Sequence, residues 1–178
     1  MMSNVSQMKD GHRRLVLMRH AKSSYPPGFP DQIADHDRPL APRGVREAGL
    51  AGDWLRANVP AVEEVLCSTA TRARETLVRS GIEAPVRYTE RLYAAAPGTV
   101  IEEINAVSDE VTTLLVVGHE PTISAVALAL AGAGTNNDAA QRISTKFPTS
   151  GIAVLHVAGC WQHLELEGAA LVAFHVPR

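Results

Sequence analysis

The stretch Thr113-Leu114-Leu115-Val116-Val117-Gly118-His119-Glu120 decides the fold. Its first five residues are strand formers with no polar alternation. Such a run predicts a β-strand buried on both faces, as in a parallel sheet covered by helices on each side. The apolar segment 122–131 follows at once and reads as a helix. Upstream, Leu15-Val16-Leu17-Met18 has the same continuous apolar character, and 62–67 predicts another strand. From Pro42 the pattern turns helical: Val45, Ala48, Gly52 and Leu55 recur at three- and four-residue steps, Pro42 suits a first turn, and Pro60 ends the segment. A second helix is predicted over 70–79 with Gly81 as its C-cap. A short strand is expected at 86–88 and a short helix over 100–107, with Val100, Ile101, Ile104 and Val107 inward. Residues 132–141 read as a polar loop, and Pro26 to Pro30 as another. Strand-like runs close the chain at 152–157 and 171–176, with a further candidate at 162–166 after a turn at Cys160-Trp161. Strands alternating with helices predict a three-layer α/β/α sandwich with a mainly parallel central sheet and an antiparallel edge.

The chain has 178 residues, enough for one domain with its own core. It is 46% hydrophobic and 20% charged, which excludes wholesale disorder and collagen-like structure. A formal charge of −2 argues against a strongly basic nucleic-acid binder. Its two cysteines, Cys67 and Cys160, form neither a disulfide framework nor a zinc-site spacing, and both sit in apolar stretches as buried thiols. No apolar run reaches the ~18 residues of a membrane span, and the run at 15–18 is too short for a signal peptide. The expectation is a cytoplasmic protein without nucleic-acid or membrane partners: a flexible N-terminal extension over 1–13, then a single domain over 14–178. Composition leaves the oligomeric state open.

Three predicted strands end in residues suited to an anion: Arg19-His20, Ser68 to Arg72, and Gly118-His119-Glu120. Ligands of an open α/β sheet bind outside the carboxyl ends of its strands. Singly, each piece has an ordinary explanation. Ser68 caps a helix, Arg72 is a solvated charge, and Gly118-His119 is a tight turn. Jointly they put two guanidiniums and two imidazoles around one point. Guanidinium offers a planar fork that matches phosphoryl oxygens in pairs, and helix N-termini add donors. A neutral imidazole attacks phosphorus and holds the group covalently. Arg19 and Arg72 disfavour the imidazolium and so keep His20 nucleophilic. His119 donates to the developing charge. No carboxylates accompany these groups at metal-ligand spacing, so the arginines are expected to replace a metal, with no cofactor. Asp35, His36 and Asp37 lie in a loop that could border the pocket, though the default reading is a solvated one. Gly132-Ala133-Gly134 reads as a plain loop, His156, His163 and His175 as structural, and Trp54 and Trp161 as packing residues.

At these residues the sequence resembles the histidine phosphatase superfamily, the phosphoglycerate mutase-like branch, and within it the small SixA-type phosphohistidine phosphatases. The resemblance is carried by Arg19-His20-Ala21, with alanine where glycine is usual, inside Leu17 to Ser24. It continues through Asp37-Arg38-Pro39-Leu40 with Arg43-Gly44, Ser68-Thr69-Ala70-Thr71-Arg72 and Gly118-His119-Glu120-Pro121, and more weakly through Thr149-Ser150-Gly151. It implies that His20 is the phosphorylated nucleophile, that Arg19, Arg72 and His119 complete the phosphate pocket, and that Ser68 assists in substrate binding. Tyr88 to Tyr93 resembles the segment that supplies a glutamate acid in larger relatives, making Glu90 the first candidate for general acid and Glu120 the second. An imidazole leaving group would need neither. The function implied is a metal-independent phosphohydrolase working through a covalent phosphohistidine on a phosphorylated substrate, first a phosphohistidine protein. The alternatives are a small-molecule phosphomonoester phosphatase and a phosphate-binding module without turnover. No long inserted cap is evident, so the pocket is expected to be shallow.

Overall fold

A six-stranded sheet organises the computed structural model, which describes residues 12–25 and 33–178. In chain order the elements are β1 (Arg13–Arg19), α1 (Pro42–Asn58), β2 (Glu64–Ser68), α2 (Thr71–Ser80), β3 (Val86–Thr89), α3 (Pro97–Asn105), β4 (Thr113–Gly118), α4 (Thr122–Leu130), α5 (Asn137–Thr145), β5 (Ile152–Val157) and β6 (Ala169–His175). The strand order is β3-β2-β4-β1-β5-β6. The first four pair in parallel, whereas β5 runs antiparallel to both β1 and β6. All six residues of β4 are buried, as its unbroken apolar run predicts.

Successive strand residues point to opposite faces, and here both faces are covered. Leu15, Leu17, Leu114 and Val116 pack with residues of α3, α4 and α5. Val16, Met18, Leu115 and Val117 pack with Ala51 and Leu55 of α1 and with Ala73 and Leu77 of α2. The two helices α1 and α2 touch backbone to backbone at Gly52, where a Cβ would lie 1.8 Å from the Ser80 carbonyl oxygen. Pro42 occupies the first turn of α1, and Gly81 closes α2 in the left-handed conformation at φ 71°.

The structure corrects several expectations. Half of the segment read as a polar loop belongs to α5, whose N-cap Asn136 accepts a hydrogen bond from the Ala139 N–H. Only Ala139 and Ile143 of that helix are buried, too few to mark an apolar stripe. The strand expected at 162–166 is absent: the chain makes a 3-10 turn at Trp161–His163 and pins Trp161, fully buried, through Nε1 to the Val111 carbonyl at 2.7 Å. Cys67 is buried, and burial pushes its thiol up to about 12, but Cys160 is partly exposed. Of the extension expected at 1–13, residues 1–11 lie outside the described residues, as does the loop at 26–30, while Arg13 already belongs to β1. Among the described residues no helix is long and apolar enough to cross a membrane.

Candidate active site

The register of the sheet brings the expected residues together. Arg19 on β1 lies opposite Gly118 on β4, and the next residue of each strand is a histidine. The His20 N–H donates to the Gly118 carbonyl at 3.0 Å, and the His20 and His119 rings stand 5.1 Å apart between centroids. The first turn of α2, following β2, supplies Arg72, whose Nε donates to His20 Nε2 at 3.3 Å. Arg19 reaches the neighbouring loop, donating from Nη1 to the Phe147 carbonyl at 2.9 Å. These four side chains line one cavity of about 280 Å³, with Lys22, Arg38 and Glu120 among its other walls. A larger hollow of about 440 Å³ lies between α5 and β6, but Arg142 and Lys146 are the only cations on its wall and no imidazole joins them. Chemistry rather than size marks the site.

Hydrogen bonding selects the form of each imidazole. His20 Nδ1 lies 2.8 Å from the Ala21 carbonyl, which only accepts, so Nδ1 carries the proton and Nε2 the lone pair. His119 Nε2 lies 2.8 Å from Ser68 Oγ. That hydroxyl already accepts from the Ala70 N–H at 3.2 Å, and its own hydrogen is free for His119. Nδ1 is then the His119 nitrogen left without a partner among the described residues. Burial pushes the His20 imidazole down to about 3, with His119 and the two arginines adding to it against the Ala21 carbonyl. Burial and Arg72 push His119 down to about 4. Both rings are therefore neutral at ordinary pH, and desolvation, more than the arginines invoked from the sequence, makes them so.

Two further contacts hold the site in shape. Thr76, fully buried on α2, accepts from the Ala21 N–H at 2.9 Å and donates to the Arg72 carbonyl at 2.6 Å, tying the segment after β1 to the helix that carries Arg72. Gly44 lets α1 press against the same segment, since a Cβ there would lie 2.1 Å from the Lys22 carbonyl oxygen.

The remaining expected residues are placed differently. Ser68 is fully buried with its hydroxyl spent on His119 and Ala70, so it supports His119 instead of touching a ligand. Glu90 begins a 3-10 turn after β3, is exposed, and does not line the cavity. Glu120 lines it, yet both carboxylate oxygens are occupied at 2.7 Å by the Ser124 N–H and hydroxyl, so it caps α4. The N-terminus of α4, expected to face the anion, is thus partly satisfied within the chain. Asp35, read from the sequence as solvated in a loop that could border the pocket, is drawn into the site. Its carboxylate accepts from Arg72 at 3.0 Å, from Tyr93 at 2.6 Å and from Arg38 at 3.1 Å. The Tyr93 hydrogen bond, with the two arginines, holds it well below the usual carboxylate range. The Asp37-Arg38-Pro39-Leu40 motif beside it was the available signal. Among the described residues no three His, Cys, Asp or Glu side chains gather as a metal site.

Residues 15–99 match the model of the histidine phosphatase superfamily, branch 1. A solved structure provisionally assigned as the phosphohistidine phosphatase SixA of Nakamurella multipartitia is 41% identical and superposes with a TM-score of 0.84, covering 94% of this chain and 97% of that one. The phosphohistidine phosphatase SixA of Escherichia coli (strain K12) is 30% identical over 117 residues, 62% of this chain and 69% of the relative. An uncharacterized protein of Mycobacterium leprae is 84% identical over 161 residues, 90% of this chain and all of the relative. The chain belongs to the histidine phosphatase superfamily. Within it the chain is a SixA-like phosphatase, a hydrolase of phosphorylated substrates.

Proposed function

We propose that residues 14–178 act as a single domain that dephosphorylates a phosphohistidine protein through a covalent intermediate on His20. The observation that carries this reading is the unprotonated Nε2 of His20, fixed by the Nδ1 bond to Ala21 and facing Arg72. In the first step the Nε2 lone pair attacks phosphorus in line. The bond to the leaving group breaks, and the leaving group departs with its electron pair. Arg19 and Arg72 balance the charge on the equatorial oxygens, and His119 donates from Nδ1. In the second step water attacks phosphorus, the P–Nε2 bond breaks, phosphate leaves, and the neutral imidazole returns.

The choice of leaving group follows from the carboxylates. A general acid must be protonated and near the departing atom. Glu120 is tied to Ser124, Asp35 is held ionised, and Glu90 is off the wall. A site with no free carboxylic acid among these suits a departing imidazole better than a departing alkoxide. The SixA relatives point the same way by the substrate in their names.

Rapid-quench labelling with a phosphorylated substrate, in chelator, tests the mechanism. An acid-labile, base-stable phosphoryl group on His20 is expected, and an acid-stable one on Ser68 would overturn it. Side-by-side rates on a phosphohistidine protein and on sugar phosphates test the substrate. Faster turnover of the sugar phosphates would move the assignment to small-molecule monoesters.

A further inference from the structure

We propose that Asp35 is a positioning residue, which clamps the end of the Arg72 guanidinium so that its side edge faces the phosphoryl-accepting nitrogen of His20. The inference rests on reading His20 and Arg72 as the phosphoryl site. Arg72 Nη1 donates to the Asp35 main-chain carbonyl at 2.7 Å, and Nη2 donates to Asp35 Oδ2 at 3.0 Å. A guanidinium has five N–H groups in one plane. Asp35 takes the two at the end of the fork. The side edge, Nε–H with the second Nη2 hydrogen, is left for the site, and in the free site Nε–H donates to His20 Nε2 at 3.3 Å. A phosphoryl group arriving at Nε2 therefore meets a two-pronged edge already turned toward it.

Asp35 is itself held. Tyr93 donates its hydroxyl to Oδ2 at 2.6 Å, and Arg38 donates from Nη1 to Oδ1 at 3.1 Å. The Tyr93 ring stands edge-on to His119 at 5.5 Å and faces the Arg72 guanidinium at 5.9 Å. The Asp35 side chain is half exposed, at 50%. Arg72 is buried, but solvent at the Asp35 end screens the pair and limits what it adds to stability, so its value lies in the direction it gives Arg72. The rival role is a competing anion that a phosphoryl group must displace from Arg72.

The test uses the full chain with Asp35→Ala, Asp35→Asn and Tyr93→Phe, 4-nitrophenyl phosphate as substrate and inorganic phosphate as competitor. For Asp35→Ala, kcat is expected to fall about tenfold to hundredfold with a smaller change in KM, the cost of a misdirected catalytic group. Phosphate inhibition should weaken and the melting temperature hold. Asp35→Asn, which keeps an oxygen acceptor, should recover part of the rate. Tyr93→Phe should lose less than Asp35→Ala and add nothing to it in the double variant, because Tyr93 acts through Asp35. Unchanged kcat, or tighter phosphate inhibition, in Asp35→Ala overturns the inference. Should that variant fail to fold, the same criteria apply to Asp35→Asn. A wild type inactive on both 4-nitrophenyl phosphate and a phosphohistidine protein would instead remove the His20 mechanism, and this inference with it.

Discussion

Ser68 stands behind His119, its hydroxyl oxygen 2.8 Å from Nε2 of the ring. Ser68 has no exposed surface and its oxygen also accepts from the Ala70 N–H, so the pair forms a fixed support under the cavity. Ser68→Ala leaves His119 Nε2 without its partner and frees the ring to change tautomer. We expect kcat to drop about tenfold with KM nearly unchanged, and stability to fall by about 1–3 kcal/mol for the stranded buried nitrogen. Steady-state kinetics and chemical denaturation check this. A tenfold rise in KM with kcat intact would mean that Ser68 touches substrate after all.

Removing the nucleophile should be the most damaging change. His20→Ala is expected to lower kcat by at least about 10³-fold, because His20 Nε2 is the one nitrogen lone pair, among the described residues, that Arg72 is hydrogen-bonded to. Arg72→Lys should cost about 10²-fold, since an ammonium gathers its donors on one atom and cannot reproduce the planar fork that spans His20 and both Asp35 oxygens. Initial rates in the presence of chelator decide both. Near-normal turnover by His20→Ala would end the covalent mechanism.

Neutral imidazoles set the acid limit of activity. His20 takes up a proton only at about 3, and His119 at about 4. Lowering the pH from 8 to 5 should therefore leave kcat flat, without the fall near 6.5 that a solvated catalytic histidine gives. Loss should begin only below about pH 5. A kcat profile for a substrate whose own ionisation lies outside this window is the measurement. A drop centred on 6.5 would contradict the burial of the two rings.

The same depressed values make folding pH-dependent. In the unfolded chain each ring takes up a proton near its ordinary 6.5, whereas in the folded chain it does so at about 3 for His20 and about 4 for His119. Between those limits the unfolded state holds more protons. Stability is thus intact above pH 6.5 and falls as the pH drops, by about 1.4 kcal/mol per pH unit for each ring. Denaturant titrations between pH 7 and 4 should show His119→Asn with a shallower slope than wild type. Identical slopes would count against a buried neutral His119.

Some of the site was legible because it lies at strand ends. His20 and His119 follow directly on apolar runs that can only be buried strands, and Arg72 follows at the first turn of the next helix. Their convergence needs nothing more than parallel pairing and short connections. Residues whose direction depends on a turn were not legible. Glu90 and Asp35 both sit at 3-10 turns, and a few degrees of backbone rotation decide which carboxylate meets the arginines. Segment 137–145 likewise hid its helix, having only two side chains to bury.

By itself, then, the order of residues determined a covered, mainly parallel sheet with an antiparallel edge and the gathering of two arginines and two histidines at one end of it, because apolar runs and their lengths dictate which strands are central. Only the tertiary structure decided that desolvation keeps those histidines neutral, that Ser68 serves His119, and that Asp35 and Tyr93 hold Arg72. Solvent exclusion and side-chain direction are properties of the packed whole, set by segments far apart in the chain, and no local pattern encodes them.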